Sequence, residues 1–170
     1  MTAAHADFDH SADFYTDAYI RDILRQCRIF GMVGASTNWN RPSYFAMKYM
    51  IQKGYRVIPI NPRAAGEELI GETVVASLSD LPVPVDLVQV FRRSDQVGPV
   101  VDEALSLAVP PKVIWMQLGV INHEAAAKAE AAGLRVVMNR CPKIEYARLS
   151  GELGWNGFNT RVVTAKKRAI

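Results

Sequence analysis

The sequence has little cysteine, little net charge and no long hydrophobic run, and each shortage removes a class of protein. Two cysteines, Cys27 and Cys141, occur in 170 residues. That number excludes a disulfide-built scaffold. Together with His5, His10 and His123 they are too dispersed to form a metal site. No apolar stretch approaches the roughly 20 residues of a membrane-spanning helix, so no membrane partner is expected. The N-terminal "MTAAHADFDHSADFY" has neither the basic start nor the apolar centre of a secretory leader, and a cytoplasmic location is the expectation. Twenty Lys and Arg against 17 Asp and Glu leave a scattered +3, which argues against nucleic acid as a partner. The densest basic run, Lys166-Lys167-Arg168, lies at the C-terminal end and reads as a solvated tail.

What remains is the composition of a globular chain, 49% apolar and 22% charged, of a length that suits a single core. Residues 1–12 read as a frayed, flexible N-terminus, 13–150 as the folded domain and 151–170 as a C-terminal extension. Helical spacing of Phe14, Ala18 or Tyr19, Ile23 and Cys27 predicts a helix over 13–27. Five apolar runs predict strands: "RIFGMV" (28–33), "YRVIPI" (55–60), "DLVQVF" (86–91), "KVIWMQ" (112–117) and "LRVVMN" (134–139). Helices are predicted over 43–53, ending at Gly54, over 94–108, with Ser94 and Asp95 as cap candidates, and over 122–133, from Asn122 to Gly133. A short helix or turn fits 77–82. The strands are apolar without clean alternation, as strands buried on both faces are. Strand–helix alternation then gives an α/β fold: a single-domain, Rossmann-like, doubly wound parallel sheet. Such sheets bind ligands at the carboxyl ends of their strands, so those ends are where function is sought.

The first strand ends in Gly31-Met32-Val33-Gly34-Ala35-Ser36, which departs from the G-x-G-x-x-G dinucleotide fingerprint. Gly34, Ala35 and Ser36 still allow backbone to approach an anion, and Arg41 and Ser43 flank a helix start that favours phosphate. A tight turn built from small residues for packing explains the same stretch. The second strand runs into Asn61-Pro62-Arg63, where an NAD-binding domain usually carries an acid for the ribose hydroxyls. An arginine there suits a ribose that bears its own phosphate, as in NADP or coenzyme A, although a solvated loop arginine is equally compatible. The third ends in Phe91-Arg92-Arg93, an apolar wall and two cations that fit adenine and phosphate, or that pair with acids such as Asp95. After the fourth, Gln117 can present an amide to a ligand, while His123 reads as a surface histidine in the first turn of a helix. After the fifth comes Cys141 between Arg140 and Lys143; such cations favour a reactive thiol, but free cysteines are mostly buried and inert. Cys27, on an apolar helix face, reads as core.

Taken together, "NRPSYFAMKYMIQKGYRVIPINP", "VDLVQVFRRSDQ", "VIWMQLG" and "NRCPKIEY" resemble the single-domain CoA-binding proteins, relatives of the N-terminal domain of the succinyl-CoA synthetase alpha chain. The resemblance covers roughly residues 20–149. It implies coenzyme A, or an acyl-CoA, as the small-molecule ligand. It further implies Gly34, Ala35 and Ser36 at the pyrophosphate with Arg41 and Ser43 close by, Asn61, Pro62 and Arg63 at the adenosine end, and Phe91, Arg92 and Arg93 on the opposite wall. Those synthetases carry a phosphorylated histidine in a second domain. This sequence ends about twenty residues after "CPKIEY", and none of its histidines has a comparable setting. The expectation is therefore a CoA-binding module without ligase chemistry and with no catalytic residue assigned. The alternative is an NADP-dependent or acyl-CoA-using enzyme, for which Cys141, Glu145, Tyr146 and His123 are the candidates. No protein partner is indicated.

Overall fold

The computed structural model describes residues 7–152. The Lys166–Arg168 run, and the C-terminal extension beyond residue 152, lie outside the described residues.

Five parallel strands form the central sheet: β1 (Ile29–Val33), β2 (Arg56–Ile60), β3 (Leu87–Val90), β4 (Val113–Met116) and β5 (Arg135–Val137). Their spatial order is β2-β1-β3-β4-β5. Each lies within a predicted apolar run, shorter by one to three residues. The chain reverses its direction of travel across the sheet between β1 and β3, which makes their carboxyl ends the topological switch point. The fold is the expected α/β one, a Rossmann-like parallel sheet flanked by helices.

The helices are α1 (Asp17–Gln26), α2 (Pro42–Gln52), α3 (Val97–Ser106), α4 (His123–Ala131) and α5 (Pro142–Leu149). One apolar layer joins Ile20, Ile23 and Leu24 of α1 and Met47 and Met50 of α2 to Phe30, Met32, Leu87 and Trp115 of the sheet. The other joins Val97 and Val101 of α3 and Ala126 and Ala129 of α4 to Ile58, Val88, Ile114 and Val136. Burying both sheet faces is why the strands show no polar alternation. Each fully buried large side chain contributes about 1.5–3 kcal/mol. The β2-to-β3 crossover carries no α-helix. It runs through the two-residue ribbon of Glu68–Leu69 with Glu72–Thr73 and a 3₁₀ turn at Leu78–Asp80, inside the predicted 77–82.

Two helix starts differ from expectation. The 13–27 helix begins only at Asp17, because Thr16 caps it, its side chain accepting from the Tyr19 amide. Phe14 is 52% exposed; the buried stripe keeps the expected Tyr19, Ile23 and Cys27 and adds Ile20 and Leu24. Residues 14–15 pair antiparallel with Phe8–Asp9. Ser94 and Asp95 do not cap α3. Ser94–Gln96 is a 3₁₀ turn, and the Ser94 hydroxyl accepts from the Ile121 amide across the strand ends. Asn122 does cap α4, accepting from the Ala125 amide at 2.9 Å.

Candidate functional site

At the switch point the chain between β1 and α2 folds by pairing its own polar groups. The Ser36 amide donates to the Ser43 hydroxyl at 3.1 Å, the Asn38 amide to the Ser36 hydroxyl at 3.2 Å, and the Asn40 amide to Asn38 Oδ1 at 2.9 Å. The amide nitrogen of Asn61, at the end of β2, donates to the Ala35 carbonyl at 2.8 Å, and its Oδ1 accepts from the Arg63 amide at 3.0 Å. Asn61 thus fastens the β2 exit to the β1 exit. Gly34 has φ +86°, and a Cβ there would lie 2.2 Å from the Phe91 carbonyl oxygen. The glycine is required by the close approach of the β1 and β3 exits, a reason within the protein itself. The N-cap Arg41 makes no side-chain cap bond to α2, whose first residue is Pro42, so among the described residues the positive end of its dipole has no side-chain cap.

From this helix start a cleft of about 880 Å³ runs along the carboxyl edge of the sheet. Asn40, Pro42, Phe45 and Ala46 form its α2 wall. Phe91, Arg92, Arg93 and Gln96 line it at the β3 exit, and Gln117, Leu118 and Val120 at the β4 exit. Cys141, Lys143 and Ile144, at the start of α5, close the far end. Its size suits a ligand of cofactor dimensions.

Four residues expected at the site, Phe91, Arg92, Arg93 and Gln117, line this cleft. Gly34, Ala35, Ser36, Arg41 and Ser43 stand at the adjoining loop and helix start without lining it. Asn61, Pro62 and Arg63 lie one strand further out. Arg93 pairs with Asp95 at 3.2 Å, both side chains largely exposed, the alternative that the sequence left open. By contrast, Arg41, Arg63 and Arg92 have no ion-pair partner among the described residues, while Arg56 and Arg135 each have one and Arg140 and Arg148 each have two.

Cys141 corrects the expectation of a buried thiol. It is half-buried and faces the cleft, and its sulfur accepts from the Gln117 amide at 3.6 Å. Cys27 is fully buried, and burial, with Asp86 adding to it, pushes its thiol up to about 12. Among the other catalytic candidates, Glu145 is buried against Arg148 at 2.7 Å, and His123 is exposed on α4 and does not line the cleft. Among the described residues no group of three or more His, Cys, Asp or Glu could hold a metal ion, and no helix is long and apolar enough to cross a membrane.

Sequence reasoning missed the apolar half of the cleft: Phe45, Leu118 and Ile144 are 47%, 55% and 43% exposed and all line it. A signal was present in α2. Its "SYFAMKYMI" is apolar around most of the helix, more than one buried face can use.

Known proteins resemble the chain over this same region. YneT of Bacillus subtilis (strain 168), itself uncharacterised, is 37% identical over 130 residues, which make up 76% of this chain and 93% of YneT. A solved structure from Thermus thermophilus is 39% identical with a TM-score of 0.74, covering 79% of this chain and 98% of the other. A hypothetical protein from Pyrococcus horikoshii OT3 is 36% identical with a TM-score of 0.75, covering 81% and 94%. The sequence profile of the CoA binding domain matches residues 28–147, from the residue before β1 into α5, and the chain therefore belongs to the CoA-binding domain family.

Proposed function

We propose that the chain binds coenzyme A, or an acyl-CoA, along the carboxyl edge of the sheet and performs no ligase chemistry of its own. The observation that carries this reading is the polarity of the cleft. One end meets the α2 N-terminus and an arginine, Arg92, without an acidic partner among the described residues; away from it the wall is formed by Leu118 and Ile144, with Lys143 beside them. CoA has the same division, with phosphates at one end and a largely apolar pantetheine arm at the other. In this reading the α2 start, with Ser36, Arg41 and Ser43, attracts the pyrophosphate. Arg63, at the β2 exit and without an ion-pair partner among the described residues, meets the 3′-phosphate, and Phe91 packs against the adenosine or the arm. Among the described residues that line the cleft, no nucleophile is hydrogen-bonded to a general base, which favours binding over turnover.

Thermal melting tests the ligand. CoA at about 100 times its dissociation constant should add about 2.7 kcal/mol of stability. NAD should leave the melting temperature unchanged, because Arg63 stands where an NAD domain has its acid. Stabilisation by NAD and not by CoA would overturn the reading.

A further inference from the structure

Resting on the CoA reading, we infer that Cys141 is a disulfide-exchange site: it takes up one half of an oxidised CoA and leaves a mixed disulfide between its Sγ and the pantetheine sulfur. The placement follows from the sheet order. Phosphates gather at the β1 exit and the α2 start, and Cys141 lies over the β4 exit, two strands away, where the Arg140 amide donates to the Met116 carbonyl and Cys141 Sγ accepts from Gln117. At the usual interstrand spacing that is about 10 Å, within the reach of a pantetheine arm. The cleft joins these two places without a break, and Cys141 lines its far end.

A second observation at that end points to the arm itself. Gln117 is 6% exposed and lines the cleft. Its Oε1 accepts from the Leu118 amide, and one hydrogen of its Nε2 meets Cys141 Sγ. The other hydrogen has no acceptor among the described residues. A buried amide donor left open toward a cleft calls for an acceptor, and pantetheine carries two amide carbonyls. The same side chain therefore holds the protein sulfur at the cleft wall and offers a hydrogen bond to the arm that ends in the ligand sulfur.

The exchange balances without any external oxidant. The Cys141 thiol releases its proton to water, and the thiolate attacks one sulfur of the CoA disulfide. The new bond joins Cys141 Sγ to the bound CoA sulfur. The old sulfur–sulfur bond breaks, and its electron pair leaves with the second CoA as a thiolate that takes a proton from water. That departing half has an open way out, since Leu118 and Ile144 are 55% and 43% exposed at this end. Cys27 has no such access, being fully buried.

The test uses the reduced full chain with CoA disulfide, followed by intact mass and peptide mapping, with calorimetry of reduced CoA on the same preparation. One CoA should add per chain, on Cys141 and not on Cys27, and dithiothreitol should remove it. Positioning in the cleft should make the rate at least about tenfold higher than with glutathione disulfide at equal concentration. Desulfo-CoA, which can bind but cannot exchange, should abolish that excess, and Cys141→Ser should give no adduct. Equal rates with the two disulfides, modification at Cys27, or no adduct on protein that binds reduced CoA would each overturn the inference while leaving CoA binding intact. Absence of CoA binding in the calorimeter would overturn the underlying reading and the inference with it.

Discussion

At the scale of single residues, Gly34 and Arg63 stand at the same edge for different physical reasons. A Cβ on Gly34 would meet the Phe91 carbonyl oxygen at 2.2 Å in a backbone conformation that side chains rarely adopt. The Phe91 amide donates to the Val33 carbonyl at 2.8 Å, so Phe91 cannot retreat without losing that bond. Gly34→Ala should therefore cost about 2–4 kcal/mol in the absence of any ligand, read from the urea midpoint. An unchanged midpoint would return the glycine to a role in ligand approach alone. Arg63 is exposed and its side chain has no partner among the described residues. Arg63→Ala should leave stability within about 0.5 kcal/mol. It should weaken CoA by about 1.5–3 kcal/mol, roughly ten- to a hundredfold, as loss of one charge-assisted contact does. Dephospho-CoA, which lacks the 3′-phosphate, should bind wild type and variant alike. If both ligands weaken equally, Arg63 does not read that phosphate, and Arg92 becomes the residue to test.

At the scale of elements, the exits of β3 and β4 are tied together through Asn122. Its Oδ1 caps α4 by accepting from the Ala125 amide, and its Nδ2 donates to the Ser94 carbonyl at 2.8 Å. Asn122→Ala removes both, so the cost should reach the upper part of the usual cap range, about 1–2 kcal/mol, in urea denaturation. Asn122→Asp keeps the cap acceptor but sets a carboxylate against a carbonyl, so it should recover only part of the loss. Recovery to wild-type stability would show that the bond to Ser94 contributes nothing. The elements also show how far the sequence could be read. The five strands were legible because burial on both faces leaves uninterrupted apolar runs, a pattern that needs no knowledge of what packs against them. The start of α1 was not, because Phe14 fits helical spacing on paper while Thr16 offers a cap that begins the helix at Asp17, four residues after the expected start. Arg92 and Gln117 were legible as site candidates because polar side chains at strand ends are conspicuous. Phe45 was not, and Cys141, though named as a candidate thiol, was expected to be buried. An apolar helix residue and a free cysteine look like core until the neighbouring strand exits leave one side of each open.

At the scale of the whole molecule, the side chains that hold the helices to the sheet make the fold sensitive to alkali. Burial pushes the phenols of Tyr15 and Tyr55 and the thiol of Cys27 up to about 12, and it raises Tyr19 and Tyr49 further. These groups are structural connectors. The Tyr15 hydroxyl accepts from the Met138 amide beyond β5, Tyr19 donates to the Val136 carbonyl on β5, and Tyr55 donates to the Leu24 carbonyl on α1. Each holds its proton more tightly when folded than in the open chain, where thiols and phenols have ordinary values of 9.0 and 10.0. Their contribution is therefore fully present below those values and is lost as pH rises through them toward about 12. Urea midpoints measured from about pH 7 to about pH 11 should be level at first and fall from about pH 9 to 10 onward. Ultraviolet titration of tyrosine should show these phenols ionising together with loss of the fold rather than ahead of it. Cys27 supplies an independent clock for the same event. Its labelling by a thiol reagent should follow global unfolding at every pH, while Cys141, half-buried at the cleft, should label in the native protein. A midpoint that stays level through about pH 11, or native-state labelling of Cys27 at the rate of Cys141, would show that these buried protons do not govern the alkaline limit of the fold.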